Sequence, residues 1–215
     1  MAARAAVVVF VMFLAVAGCS SGSARTSSPA PPFALRMVKA STPKDAARLQ
    51  ALVSDRGQPW GMAATRVTWG QLTPKQLPSN LVPSDTLGRG LLVARATTDR
   101  FFAPTTADSV AAADLLFERG LYIHATTRNA FGQPEPDAAK WASHVARELA
   151  KPQDGQQSTS VNGVPALFGF GPASRFGGGG TDTFVRWVAA GWSVTVELQG
   201  KNAADALAVA RSLGR

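Results

Sequence analysis

The side chains best able to do chemistry are few: one thiol, Cys19, and two imidazoles, His124 and His144. A single cysteine excludes an intrachain disulfide and a four-thiolate metal site. Two histidines exclude a three-histidine metal centre. Neither histidine stands in an HExxH spacing, so each reads as a structural or surface residue rather than a metal ligand. The nearest approach to a serine-nucleophile elbow is Gly171-Pro-Ala-Ser174-Arg-Phe-Gly177, and its spacing is wrong. Gly169-Phe-Gly171 precedes Pro172 and a glycine run, not a helix, which argues against a dinucleotide site. No GxxxxGK[ST] phosphate loop occurs. Glu135 and Asp137 flank a helix start, where acids suit the helix dipole better than they suit an acid/base pair. These residues predict no catalytic set, no metal and no cofactor.

The aromatic residues carry more content. Phe168, Phe170, Phe184, Trp187 and Trp192 crowd one stretch of the C-terminal third. Strand alternation places Phe168 and Phe170 on one face, and Trp187 and Trp192 flank a turn. One reading is an apolar groove for an acyl chain or a hydrophobic partner segment. The other is a core packed beneath the helices.

Those residues need elements to hold them. The chain has 215 residues, 46% hydrophobic and 17% charged, enough for one domain with appendages and a buried core. Thr42-Pro43 opens a helical pattern, with Thr42 as N-cap, Pro43 at the first helical position and Asp45 three residues after the cap. Ala46, Leu49 and Val53 recur at helical spacing, and Gly57-Gln-Pro59 ends the helix. Phe33–Lys39 and Ala63–Trp69 read as strands, residues 71–90 as a long Pro- and Gly-punctuated loop, and Leu91–Ala94 as a short apolar strand. Residues 107–120 fit either a helix or one arm of a hairpin. The hairpin would pair Asp114–Phe117 with Leu121–Thr126, and the short turn Glu118-Arg119-Gly120 favours it.

Pro136-Asp137 starts a further helix, with Ala138, Trp141, Val145 and Leu149 in one stripe. Val161-Asn-Gly-Val164 offers an Asn-Gly turn into a strand over Pro165–Phe170. Residues 171–180 are a Gly-rich loop. Thr183–Val188 and Trp192–Leu198 are strands around Ala189-Ala190-Gly191. Asn202 caps a last helix with Leu207, Ala210 and Leu213 inward, closed by Gly214. The sum is an α+β domain: a mainly antiparallel, curved sheet packed with two or three helices.

The N-terminus reads differently. Arg4 precedes an apolar run from Ala5 to Ala17, too short for a membrane-spanning helix of about 20 residues and right for a secretory h-region. Val16-Ala17-Gly18-Cys19 resembles the bacterial lipobox, an aliphatic residue and two small ones before a cysteine. That resemblance implies cleavage after Gly18 and a diacylglyceryl group on the Cys19 sulfur. An ordinary signal peptide beside a free cysteine is the alternative. Residues 20–32 read SSGSARTSSPAPP, a tether that cannot pack and could reach about 40 Å at ~3.3 Å per residue. The expected organisation is a leader over 1–18, a lipidated cysteine and tether over 19–32, and one α+β domain over 33–215.

Net charge is +8, and loss of Arg4 with the leader leaves +7. At an extracytoplasmic address this suits anionic lipid or wall polymers and argues against nucleic acid. No two Lys or Arg residues are adjacent, so a merely solvated basic surface is the other reading.

The C-terminal third carries a pattern. Val161-Asn-Gly-Val-Pro-Ala166, Phe184-Val-Arg-Trp187, Gly191-Trp-Ser-Val-Thr-Val-Glu-Leu198, Gly200 and Val209-Ala-Arg-Ser-Leu213 follow one another over about 55 residues. This resembles a C-terminal module of Gram-positive lipoproteins and anti-sigma-associated proteins, itself linked to the curved sheets of lipoprotein carriers and periplasmic sigma regulators. The resemblance implies fold and address and brings no catalytic residues. The resulting expectation is a non-enzymatic, membrane-anchored envelope lipoprotein whose domain binds an envelope protein or a lipid. A lipid carrier with a cavity in a half-barrel sheet is the first alternative, and an envelope hydrolase the second.

Overall fold

The computed structural model describes residues 35–57, 59, 67–128, 134, 138–150, 156–172 and 181–213. The leader, Cys19 and the tether therefore lie outside the described residues, as do Glu135–Asp137 and residues 173–180. The chain divides into two units, Met1–Pro32 and Phe33–Arg215, and every element below belongs to the second.

The order is α1 (Pro43–Ser54), β1 (Gly70–Gln71), β2 (Leu91–Thr97), β3 (Ala112–Phe117), β4 (Leu121–Thr126), α2 (Ala138–Ala150), β5 (Gln157–Val161), β6 (Val164–Pro172), β7 (Thr181–Ala189), β8 (Trp192–Gln199) and α3 (Ala203–Ser212). The fold is α+β: among the described residues, three helices stand with one open eight-stranded antiparallel sheet, in the spatial order β1-β2-β3-β4-β8-β7-β6-β5. Each half of the sheet is a meander, with short turns at β3–β4, β5–β6 and β7–β8, and the halves meet where β4 pairs with β8. Among the described residues no helix is long and apolar enough to cross a membrane.

Local chemistry explains the joints. The Thr42 hydroxyl accepts from the Asp45 amide at 3.1 Å, and Pro43 starts α1 with its φ already fixed. Asn202 caps α3 through the Asp205 amide at 3.2 Å. Asn162-Gly163 and Ala190-Gly191 have φ of 49°, 81°, 50° and 77°, the left-handed pairs that close two-residue hairpins with the natural strand twist.

Alternation along each strand sorts the side chains to two faces. On one face Ala113, Leu115, Phe117, Ile123, Val185 and Val196 pack with Ala206, Val209 and Ala210 of α3 and with Leu72, Leu77 and Leu81 of the long loop. The other face is covered twice. Leu52 of α1 sits with Leu92, Val93, Leu116 and Tyr122. Trp141 and Val145 of α2 sit with Leu167 and Val188, and the Trp141 indole donates to the Pro165 carbonyl at 2.8 Å.

Several elements differ from their sequence reading. Of the expected strand over Phe33–Lys39, the described part makes only a single parallel bridge, Met37 with Leu91, before the chain turns toward Thr42. Of Ala63–Trp69, residues 67–69 are irregular, because loops satisfy their backbone: Val67 N bonds the Arg56 carbonyl and Thr68 N that of Phe101. Pairing with β2 starts only at Gly70. The long loop contains β1's Gln71 and two short 3-10 turns. Residues 107–109 form a further 3-10 turn, and Ala112–Phe117 is a strand, so the hairpin is the correct alternative. The β2 strand runs three residues past Ala94, through Arg95 to Thr97.

Candidate functional site

The β2 and β3 strands are buried at every position, and each carries one charge: Arg95 and Asp114. The register makes them Cα partners, and Asp114 is in turn opposite His124 of β4. All three point to the face covered by α1. The Arg95 Nε donates to Asp114 Oδ2 at 2.8 Å. The Tyr122 hydroxyl donates to Oδ1, and His124 Nδ1 lies 2.7 Å from the same oxygen. An ionised carboxylate can only accept, so Nδ1 donates this hydrogen bond.

Asp114 is fully buried, which by itself would push its pKa up. The hydrogen bond and charge of His124, the Arg95 charge and the Tyr122 hydroxyl outweigh burial and hold it down at about 2. Arg95 is also completed from the helix side. Its Nη1 donates to the Leu52 and Asp55 carbonyls, and the guanidinium sits 4.1 Å from the Trp69 ring centroid. The end of α1 is thereby tied to the sheet by a buried charge network. A second tie holds its start: buried Asp45 accepts from Arg48 Nη1 at 3.2 Å and from the Arg119 amide at 3.0 Å.

The row continues across the sheet. His124 faces Thr195, and Thr195 faces Arg186, whose Nε donates to the Thr195 hydroxyl at 3.3 Å. The His124 side chain is 20% exposed. An aspartate holding Nδ1 of a half-buried histidine is the orienting half of a general-base pair. The same contacts also describe a salt-bridged structural network, since Asp114 is shared with Arg95 and Tyr122.

An open groove of about 440 Å³ lies at the other edge of α1. Met37, Leu49 and Val53 form one wall, and Leu72, Leu92 and Val93 form the sheet-edge wall. Met37 is 47% and Val53 49% exposed, unusual for residues this apolar.

The aromatic residues expected to form a ligand surface are not brought together as one. Phe168 and Trp187 are buried in the core beneath α3. Phe170 and Trp192 are half-buried against that same core, with the Phe170 ring 5.5 Å from Phe168 in an edge-on contact. Phe184 points to the opposite face, in register with Gly169 and Glu197. Cys19 lies outside the described residues. His144 is on α2, its ring 4.9 Å from that of Trp141. Among the described residues no cluster of three or more His, Cys, Asp or Glu is placed to hold a metal ion.

Sequence reading missed the Arg95–Asp114–Tyr122–His124 network and the groove. Comparison with family models, with curated proteins and with solved structures gives no match.

Proposed function

We propose that the chain is a cell-envelope lipoprotein, anchored to the extracytoplasmic face of the membrane through Cys19. Its α+β domain is a non-enzymatic binding module for an envelope protein or a lipid. The observation that carries the binding reading is the groove of about 440 Å³, apolar in lining, with Met37 and Val53 exposed on its walls. That volume is within the range of small-ligand sites, ~300–1,000 Å³. The Val16-Ala17-Gly18-Cys19 motif supports the anchor, and the C-terminal resemblance supports the address. The membrane supplies local concentration and the tether supplies reach.

The carrier alternative needs a curved half-barrel around an internal lipid cavity lined by the C-terminal aromatics. Burial of Phe168 and Trp187 under α3 weighs against it. The hydrolase alternative is favoured by one observation, the His124–Asp114 pair. It weighs less because the apolar groove is not lined by His124.

The test is mass spectrometry of the N-terminal peptide after expression with the leader in a bacterium that processes lipoproteins. A Cys19 N-terminus carrying diacylglycerol, absent from Cys19→Ser, is expected. A free Cys19 thiol on a secreted chain overturns the anchor. Native mass spectrometry of the mature protein separates the alternatives: stoichiometric lipid released by solvent extraction would favour the carrier.

A further inference from the structure

We propose that the groove between α1 and the β1–β2 edge is a membrane-docking face, which seats an acyl chain while surrounding cations hold anionic headgroups. This deepens the envelope reading above and rests on it.

The charge around the groove selects the occupant. Residues 35–54 and 67–84, which build its walls together with Leu92–Ala94, contain a single acid, Asp45. That acid is 1% exposed and paired with Arg48. The same two segments carry exposed Arg36, Lys39, Lys44 and Lys75. Arg36 and Lys39 adjoin Met37 and Ala40 in the chain, and Lys75 lies three residues from Leu72, all groove-lining positions. Four exposed cations, against one partly exposed carboxylate, Asp55, that Arg95 pairs with at 3.5 Å, stand beside exposed aliphatic side chains and match an interfacial lipid surface: apolar groups enter the acyl boundary and cations meet the headgroups. An apolar protein segment would need the groove but not this mainly cationic surround.

The experiment uses the mature chain Cys19–Arg215 with Cys19→Ser, so that no attached acyl chain contributes. It is sedimented with vesicles of 70% phosphatidylcholine and 30% phosphatidylglycerol, and with pure phosphatidylcholine. Binding to the anionic vesicles alone is expected, weakening as salt rises from ~50 to ~500 mM. Lys39→Ala and Lys75→Ala should each weaken it about fivefold, the effect of one cation near an anionic surface. Met37→Ser with Val53→Ser should weaken it more than about tenfold. Arg211→Ala, an exposed cation on α3, should change it less than about twofold.

Insertion is read separately. A Val53→Trp variant should shift its emission to the blue with anionic vesicles and be quenched by brominated acyl chains. Equal binding to both vesicle types, no binding, or an Arg211→Ala effect as large as that of Lys39→Ala overturns the docking face. Binding without quenching overturns acyl seating. Circular dichroism melts confirm that the surface variants fold. Acylation of Cys19 in the native chain is scored independently, so either reading can fail without the other.

Discussion

Removing the Asp114 carboxylate should be among the most damaging single changes available to this domain. Asp114 is 0% exposed and Arg95 2% exposed. In Asp114→Ala the guanidinium keeps the Leu52 and Asp55 carbonyls, the Trp69 ring and the partly exposed Asp55 carboxylate at 3.5 Å, but loses its closer, fully buried carboxylate at 2.8 Å. Tyr122 and His124 lose their acceptor in the same step. Breaking a buried ion pair from one side costs about 3–5 kcal/mol, because the remaining charge stays desolvated. Replacing both partners removes the stranded-charge part of that penalty, so Arg95→Met with Asp114→Leu should recover part of the loss, the rest remaining with the Tyr122 and His124 donors and the Leu52 and Asp55 carbonyls. The assay is urea unfolding followed by tryptophan fluorescence and circular dichroism, with the four proteins of the cycle measured at pH 7. A loss below about 1 kcal/mol in Asp114→Ala would refute the claim that the network bears on stability. A double variant no better than the single would refute the claim that the stranded Arg95 charge is the cause.

Two further predictions follow from the same geometry. The Asp114 pKa is held at about 2 against roughly 3.9 in an unfolded chain, so its ionised form stabilises the fold by about 2.5 kcal/mol. Since the folded pKa is the lower, that stability is fully present above about pH 4 and is lost as pH falls through 2. The urea midpoint of wild type relative to Asp114→Asn should narrow across this window, and a constant difference from pH 6 to 2 would contradict the assignment. Gly120 has φ +69°, and a Cβ there would lie 2.8 Å from Gln199 Cβ. Gly120→Ala should therefore cost at least about 1 kcal/mol by thermal melting, and a neutral result would mean the β3–β4 turn has slack against β8.

Much of the fold could be read from short-range chemistry. Thr42-Pro43 and Asn202 mark helix starts because a side-chain acceptor must meet amides that have no partner within the helix. Asn162-Gly163 marks a hairpin because both residues tolerate positive φ. The described parts of the expected strands over Phe33–Lys39 and Ala63–Trp69, residues 35–39 and 67–69, are not ladder strands, because a strand needs a neighbour and nothing local says whether one is there. Of the two readings of the aromatic cluster, the burial of Phe168 and Trp187 beneath α3 favours the packed core over the groove. Phe168, Phe170, Phe184, Trp187 and Trp192 are close in sequence, yet alternation and register divide them, with Phe184 on one face and the others toward the α3 core.

The charge network left a signal that boundary placement hid. The expected strand over Leu91–Ala94 stops one residue before Arg95, and the expected strand over Asp114–Phe117 begins on the aspartate. Both choices put a charge at a strand end, where water could solvate it. The apolar runs argue otherwise, since Leu-Leu-Val-Ala precedes Arg95 and Val-Ala-Ala-Ala precedes Asp114. A strand apolar on both sides of one charge is buried at that charge, and a buried charge requires a partner. Two consecutive strands of this kind carrying opposite single charges are each other's partner, and the demand also fixes their register. Arg95 opposite Asp114 is the pairing found. His124 then follows from the hairpin, because Glu118-Arg119-Gly120 sets which residue of β4 faces Asp114. The groove had no such signal. It exists because α1, tied down by Arg95 at its end and Asp45 at its start, stands off the sheet edge where β1 is only two residues long.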